Sequence, residues 1–119
     1  MTTILLVDDD PLQASVRKSI LEKRFPDVRR VADAAEALCL VEENPPTVVL
    51  GVVVSAHRMP GFGAREFVSE LHNRRPSLPV LVLGDAGDDA SAYEGDRVYF
   101  LPKPTTAEDM LATASLVLA

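Results

Sequence analysis

The sequence contains little cysteine, no excess of basic charge and no long apolar run. Its one cysteine, Cys39, excludes an intrachain disulfide and a thiolate metal cluster; a reducing, cytoplasmic setting is therefore expected. With 12 Lys and Arg side chains against 18 carboxylates, the formal net charge of -6 disfavours nucleic-acid binding. The longest apolar stretch, residues 48–54, is interrupted by Gly51 and is far shorter than the ~20 residues of a membrane span. We therefore expect neither nucleic acid nor a membrane as a partner.

A length of 119 residues fits one compact domain. No repeat, linker or low-complexity tract divides the chain, so we predict a single domain over residues 1–119. The first residues lack a basic stretch and a small-residue cleavage site, and we expect no signal peptide.

Short apolar runs rich in β-branched residues alternate with helical patterns along the chain. This alternation is typical of an α/β fold with a parallel sheet. The runs predict five strands, at residues 4–7, 28–32, 47–54, 80–83 and 98–101. A loop over residues 55–63 is predicted to follow the central strand, which is a place where α/β proteins bind ligands.

Helical spacing and capping signals predict five helices between and after these strands. The first begins at Pro11 and buries Leu12, Val16 and Ile20. A capping box of Asp33 and Glu36 predicts the start of the second. The complete set is residues 11–25, 34–43, 64–74, a short helix near 88–94, and a last helix from about 106 to the end of the chain.

Acidic side chains follow the first predicted strand, and a lysine follows the last one. Asp8, Asp9, Asp10 and Lys103 should all project toward the same sheet edge, because parallel strands share their carboxyl edge. Adjacent carboxylates repel by roughly 4 kcal/mol at 4 Å in an intermediate dielectric, so they usually surround a cation, lie near a lysine or stay in water. Asp10, which precedes Pro11, is well placed to cap the first helix. Asp8 and Asp9 need another explanation.

Three motifs together resemble the receiver domain of two-component response regulators: ILLVDDDP at residues 4–11, MPG at 59–61 and FLPKP at 100–104. The resemblance covers the whole chain in order and implies a doubly wound, five-stranded parallel sheet. In that family an acidic pair holds Mg²⁺ and a central-strand aspartate accepts a phosphoryl group from a histidine kinase. A Thr or Ser senses that group and a lysine contacts it. Asp8 and Asp9 match the acidic pair, and Lys103 matches the lysine.

The phosphoacceptor aspartate of that pattern is missing. Residues 34–84 contain no aspartate, so the central strand and its loop hold none under any alignment. The family spacing places the acceptor at Ala56 when counted back from the MPG motif. It falls on Gly51 or Val52 when counted forward from the preceding prolines. A vestigial phosphosite at one of these positions is therefore predicted.

Two further departures from the family pattern concern the phosphate sensor and the switch aromatic. Gly84 stands where the sensing hydroxyl is expected, and Phe100 matches the switch aromatic without a phenol oxygen. Losing the acceptor removes a nucleophile and a metal ligand together, so we expect weak Mg²⁺ binding at best and no required cofactor. Lys103 would then be free to pair with Asp8 or Asp9.

Two alternatives stay open at this point. Ser55 or His57 in the predicted loop could replace the missing acceptor. Asp8-x-Asp10 and the acidic motif at residues 84–89 also resemble haloacid-dehalogenase-type phosphohydrolases, although Pro11 and the order of the motifs argue against this.

The interpretation that these residues favour is a receiver-like signalling domain that is not an enzyme and acts through protein contacts. The family uses the face of the last helix and fifth strand for dimerisation, which places Tyr99 and Met110 on the predicted partner surface. The expected partner is a histidine kinase, another regulator or a second copy of the chain, as in a homodimer.

Overall fold

The computed structural model describes residues 2–43, 49–56, 64–84, 97–101 and 106–118. The short helix predicted near residues 88–94 lies outside this part of the chain. The strands of the described residues are β1 (Thr2–Val7), β2 (Val28–Val31), β3 (Val49–Ala56), β4 (Val80–Leu83) and β5 (Val98–Leu101). Its helices are α1 (Pro11–Glu22), α2 (Ala34–Glu43), α3 (Ala64–Arg74) and α4 (Ala107–Leu118).

The five strands form one parallel sheet in the order β2-β1-β3-β4-β5. From β1 the chain first adds β2 on one side, and β3 then starts the other side of the sheet. This reversal creates a topological switch point between β1 and β3, which is where doubly wound sheets bind ligands. The predicted α/β fold with a doubly wound parallel sheet is confirmed.

Each face of the sheet has its own hydrophobic core. The α2/α3 core contains Leu5 and Val53 of the sheet together with Phe67 of α3. The α1/α4 core contains Leu6 of the sheet, Leu21 of α1 and Met110 of α4. Strands covered on both faces are buried almost throughout, which explains their continuous apolar sequences.

The predicted inward face of α1 is wrong. Leu12 and Val16 are 76% and 54% exposed. The buried positions are instead Ala14, Arg17 and Leu21, which follow at helical spacing. A charged side chain thus occupies the inward face, and the following subsection gives the reason.

Strand β3 extends beyond its predicted end at residue 54, because Ser55 and Ala56 still pair with β4. An irregularity near its start accommodates the extra length: Thr3 pairs with Leu50 while Ile4 pairs with Val52, which leaves Gly51 as a bulge. A Cβ added at Gly51 would collide with the side-chain ends of Thr2 and Leu118. The close approach of Thr2 explains why glycine fits the bulge.

The cap of α2 at Asp33 is confirmed, while the returning bond of Glu36 is displaced by one residue, to the N–H of Ala32 and not that of Asp33. Asp33 Oδ1 accepts a hydrogen bond from the Glu36 N–H at 2.8 Å, and Glu36 Oε2 accepts one from the Ala32 N–H at 3.2 Å.

Within the described residues, no helix has both the length and the apolar character that crossing a membrane would need.

Candidate functional site

The carboxyl ends of β1 and β3 meet at the switch point of the sheet. Val7 pairs with Ser55 in the parallel register, so the residues that follow, Asp8 and Ala56, lie side by side at the edge. The Asp8 N–H donates to the carbonyl of Val31 on β2 at 3.1 Å, which fixes the backbone there. Sequence and topology therefore place one member of the acidic pair and one candidate acceptor position together.

Asp8 is fully buried, and each oxygen of its carboxylate accepts a hydrogen bond from within the chain. Its Oδ2 accepts a hydrogen bond from Arg17 Nη1 at 2.9 Å in an ion pair, and its Oδ1 accepts one from the Asp10 N–H at 3.1 Å. The Arg17 side chain is only 11% exposed. The carboxylate of Asp8 is thus neutralised by a guanidinium that reaches it from the inward face of α1.

A second arginine binds the main chain at the same residue. Arg30 of β2 donates to the carbonyl oxygen of Asp8 through Nε at 3.1 Å and Nη2 at 2.8 Å. Arg30 also lines a cavity of about 190 Å³ together with Lys18 of α1. The side of Asp8 that faces β2 and α1 is therefore rich in positive charge.

The other two aspartates of the run have different environments. Asp9 is exposed. Asp10 is the N-cap of α1, as predicted: its Oδ1 accepts from the N–H groups of Leu12 at 3.0 Å and Gln13 at 3.2 Å.

The predicted acceptor positions are widely separated along β3. Ala56 lies at the carboxyl end, beside Asp8, with a buried methyl group. Gly51 forms the bulge and Val52 pairs with Ile4, so both lie near the start of β1 and away from the edge that carries Asp8. Of the candidates, Ala56 is therefore the position at the sheet edge that carries Asp8, although its methyl group packs in the α2/α3 core.

The structure corrects the predicted location of Ser55, which is a buried strand residue and does not belong to the loop. Its hydroxyl donates to the carbonyl of Ala56 at 2.9 Å. The other loop candidate, His57, and the predicted phosphate-contacting Lys103 lie outside the described residues.

At the neighbouring strand ends, Gly84 is buried and its N–H donates to the carbonyl of Leu101 at 2.9 Å. Phe100 is partly buried against the α2/α3 core.

Tyr99 is 38% exposed on the edge strand β5. Met110 is 3% exposed, so its prediction as a partner-surface residue is wrong. It forms the inward stripe of α4 with Ala114, one turn away.

Sequence reasoning missed both arginines that bind Asp8. Arg17 shares an inward stripe with Ala14 and Leu21, but the apolar pattern of Leu12 and Val16 is stronger and favours the opposite face. Arg30 interrupts the apolar pattern of β2, and nothing in that short segment indicates a contact with Asp8. The available signal was a basic residue at helical spacing from small and apolar neighbours, shortly after the acidic run.

The chain is similar to a known domain family and to individual bacterial proteins. A sequence model of the response regulator receiver domain matches residues 4–115. The C4-dicarboxylate transport transcriptional regulatory protein DctD of Pseudomonas aeruginosa is 32% identical, over 92% of this chain and 24% of that protein. Protein PilH of Pseudomonas aeruginosa is 27% identical, over 100% of this chain and 99% of PilH. The chain thus spans about a quarter of DctD and nearly all of PilH.

The fold similarity is equally extensive. A crystal structure of a response regulator receiver domain protein from Clostridium thermocellum superposes with a TM-score of 0.87 at 24% identity. The match covers 99% of this chain and 94% of that one. At this level of identity the comparison concerns the fold.

Proposed function

The chain belongs to the response regulator receiver domain family, and from that premise we propose that it works in two-component signalling without being phosphorylated. Receiver domains are signalling modules. The finer proposal is that this one acts as a protein-interaction module, with no catalytic activity of its own and no required cofactor.

The observation that carries this proposal is the pair of residues at the switch point. Where the acidic edge of the sheet would need an acceptor carboxylate, β3 ends in the methyl group of Ala56. Beside it, the carboxylate of Asp8 is bound by Arg17 at 2.9 Å. A methyl group cannot attack a phosphoryl donor, and a buried, ion-paired carboxylate lacks the freedom that a nucleophile needs.

The proposed module has apolar side chains available for partner contacts. Leu12 and Val16 are one turn apart on the outside of α1, Tyr99 is on the edge strand β5, and Leu116 is on α4. A histidine kinase, a sibling regulator or a second copy of the chain fits this proposal, since a rigid sheet can present such a surface without chemistry.

The alternatives that the sequence left open have lost support. The Ser55 hydroxyl is buried and hydrogen-bonded, which argues against its use as an acceptor. The receiver family match over residues 4–115 replaces the phosphohydrolase interpretation. Phosphorylation at His57 is retained as an outcome that the experiment below would detect.

Intact-mass analysis after incubation with acetyl phosphate and Mg²⁺ tests the proposal. We expect no added mass, while an ordinary receiver treated in parallel gains one phosphoryl group. A stable phosphoryl adduct on this chain would contradict the proposal, and its loss in a His57→Ala variant would then identify the acceptor.

A further inference from the structure

We propose that Arg17 serves as a built-in counter-ion for the acidic pair and excludes the divalent cation that the family's acidic pair holds. This inference rests on the proposed function but concerns a different property, the binding of a metal by Asp8 and Asp9. It assigns a role to a residue whose charge has no other explanation on the inward face of a helix.

The side chains at this edge do not fit Mg²⁺. The ion requires near-octahedral oxygen ligation and is usually held by one or two carboxylates that remain available to it. Both carboxylate oxygens of Asp8 are engaged, Oδ2 by Arg17 and Oδ1 by the Asp10 N–H. Ala56 supplies no oxygen from its side chain. Across the described ranges, no three acidic, His or Cys side chains are grouped to hold a metal.

Arg17 is held where it cannot easily move away. It is buried in the stripe that also contains Ala14 and Leu21, and its side chain is 11% exposed. A cation that took Asp8 from Arg17 would leave a buried guanidinium without its carboxylate, which is strongly unfavourable. The same cation would also approach Arg30, which already binds the Asp8 carbonyl. Both effects oppose metal binding.

An arginine is well suited to this role because its guanidinium stays protonated under all conditions in which proteins fold. A bound metal ion depends on the concentration of that metal, whereas a covalently attached cation does not. The acidic pocket should therefore keep one arrangement whether or not Mg²⁺ is present, which is what a phosphorylation-independent module requires.

The experiment compares Mg²⁺ binding by the wild type, Arg17→Met, Ala56→Asp and the Arg17→Met/Ala56→Asp double variant. Binding is measured by isothermal titration and by amide chemical shifts near Asp9. We expect no saturable sub-millimolar binding by the wild type. The double variant should bind Mg²⁺ at least about tenfold more tightly than Ala56→Asp alone, because it combines a new carboxylate with the loss of the counter-ion.

Arg74→Met is the matched control, since Arg74 lies on α3 at the other face of the sheet and also pairs with carboxylates. It should leave Mg²⁺ binding unchanged. If Arg17→Met does not fold alone, circular dichroism with and without Mg²⁺ decides: folding that Mg²⁺ restores supports the proposal. If Arg17→Met fails to fold both with and without Mg²⁺, the wild-type titration alone tests the inference, and sub-millimolar Mg²⁺ binding there would overturn it.

Sub-millimolar, saturable Mg²⁺ binding by the wild type would overturn the inference, and so would equal affinities of Ala56→Asp and the double variant. These outcomes differ from failure of the proposed function, which would be a phosphoryl adduct on the wild type. Tight Mg²⁺ binding without an adduct would leave the proposed function standing and remove only the role of Arg17.

Discussion

Two arginines on opposite faces of the sheet make ion pairs of similar length in very different surroundings. Arg17 of α1 contacts Asp8 at 2.9 Å, with side chains 11% and 0% exposed. Arg74 of α3 contacts Glu42 at 2.7 Å and Glu70 at 2.8 Å, and its own side chain is 29% exposed. Since the contact distances hardly differ, burial decides what each pair contributes.

Arg74 forms two ion pairs at the surface. The pair with Glu70 lies within α3, and the pair with Glu42 links α3 to α2. The hydrogen bonds that Arg74 donates to Glu70, and then to Glu42, raise the pKa of Arg74 above its ordinary value. A guanidinium with a raised pKa keeps its charge until the pH exceeds a value that is already extreme, so this cluster provides no pH switch in the usual range. Exposed ion pairs of this kind add little stability because water and salt screen them.

Losing only one partner of the Arg17–Asp8 ion pair should destabilise the fold strongly, whereas replacing both partners together should cost much less. Breaking a buried pair leaves an uncompensated charge, and we expect Arg17→Met to lower the free energy of unfolding by about 3–5 kcal/mol. Urea denaturation followed by circular dichroism measures the effect. Of the substitutions considered, Arg17→Met should lower the free energy of unfolding the most.

The Asp8→Asn/Arg17→Met double variant is the control for that result. Removing both charges eliminates the unpaired group, so the double variant should be clearly more stable than Arg17→Met alone. Additive losses in the double variant would show that the two side chains stabilise the fold independently and would end the contrast with Arg74.

An intermediate effect is expected for a carboxylate that is exposed but bound to the backbone. Asp10 caps α1 by accepting hydrogen bonds from two N–H groups. We expect Asp10→Ala to lower the free energy of unfolding by about 1 kcal/mol, with Asp10→Asn close to the wild type because Asn also caps helices. Urea denaturation of the two variants provides the check. An equal loss in both would indicate that the charge of Asp10 matters more than its capping geometry.

The elements of the fold were predictable because they depend on local patterns. The continuous apolar run of β1 and the turn residues that separate the elements located the strands, and Asp10 identified the start of α1. The α/β alternation then fixed the type of sheet. These signals need no knowledge of which residues meet across the fold.

The site was less predictable because its contacts join distant residues. Arg17 and Arg30 meet at Asp8 only once α1 and β2 are packed beside β1. The bulge at Gly51 depends on the register between β1 and β3, and it moved Ser55 from a predicted loop into a buried strand. Hydrophobic periodicity of α1 predicted the wrong face because burying Arg17 against Asp8 outweighed exposing Leu12.

The smallest effect on stability is expected for Arg74, the more exposed of the two arginines. Arg74→Met removes contacts to Glu42 and Glu70, whose side chains are 57% and 47% exposed. The melting temperature should change little at low salt. It should match the wild type in about 1 M sodium chloride, where the screening length is only ~3 Å. Arg17→Met should stay destabilised in the same salt, because solvent ions do not reach a buried carboxylate. If high salt rescued Arg17→Met as well, the Asp8 pocket would be open to ions, and the distinction between the two arginines would be one of degree.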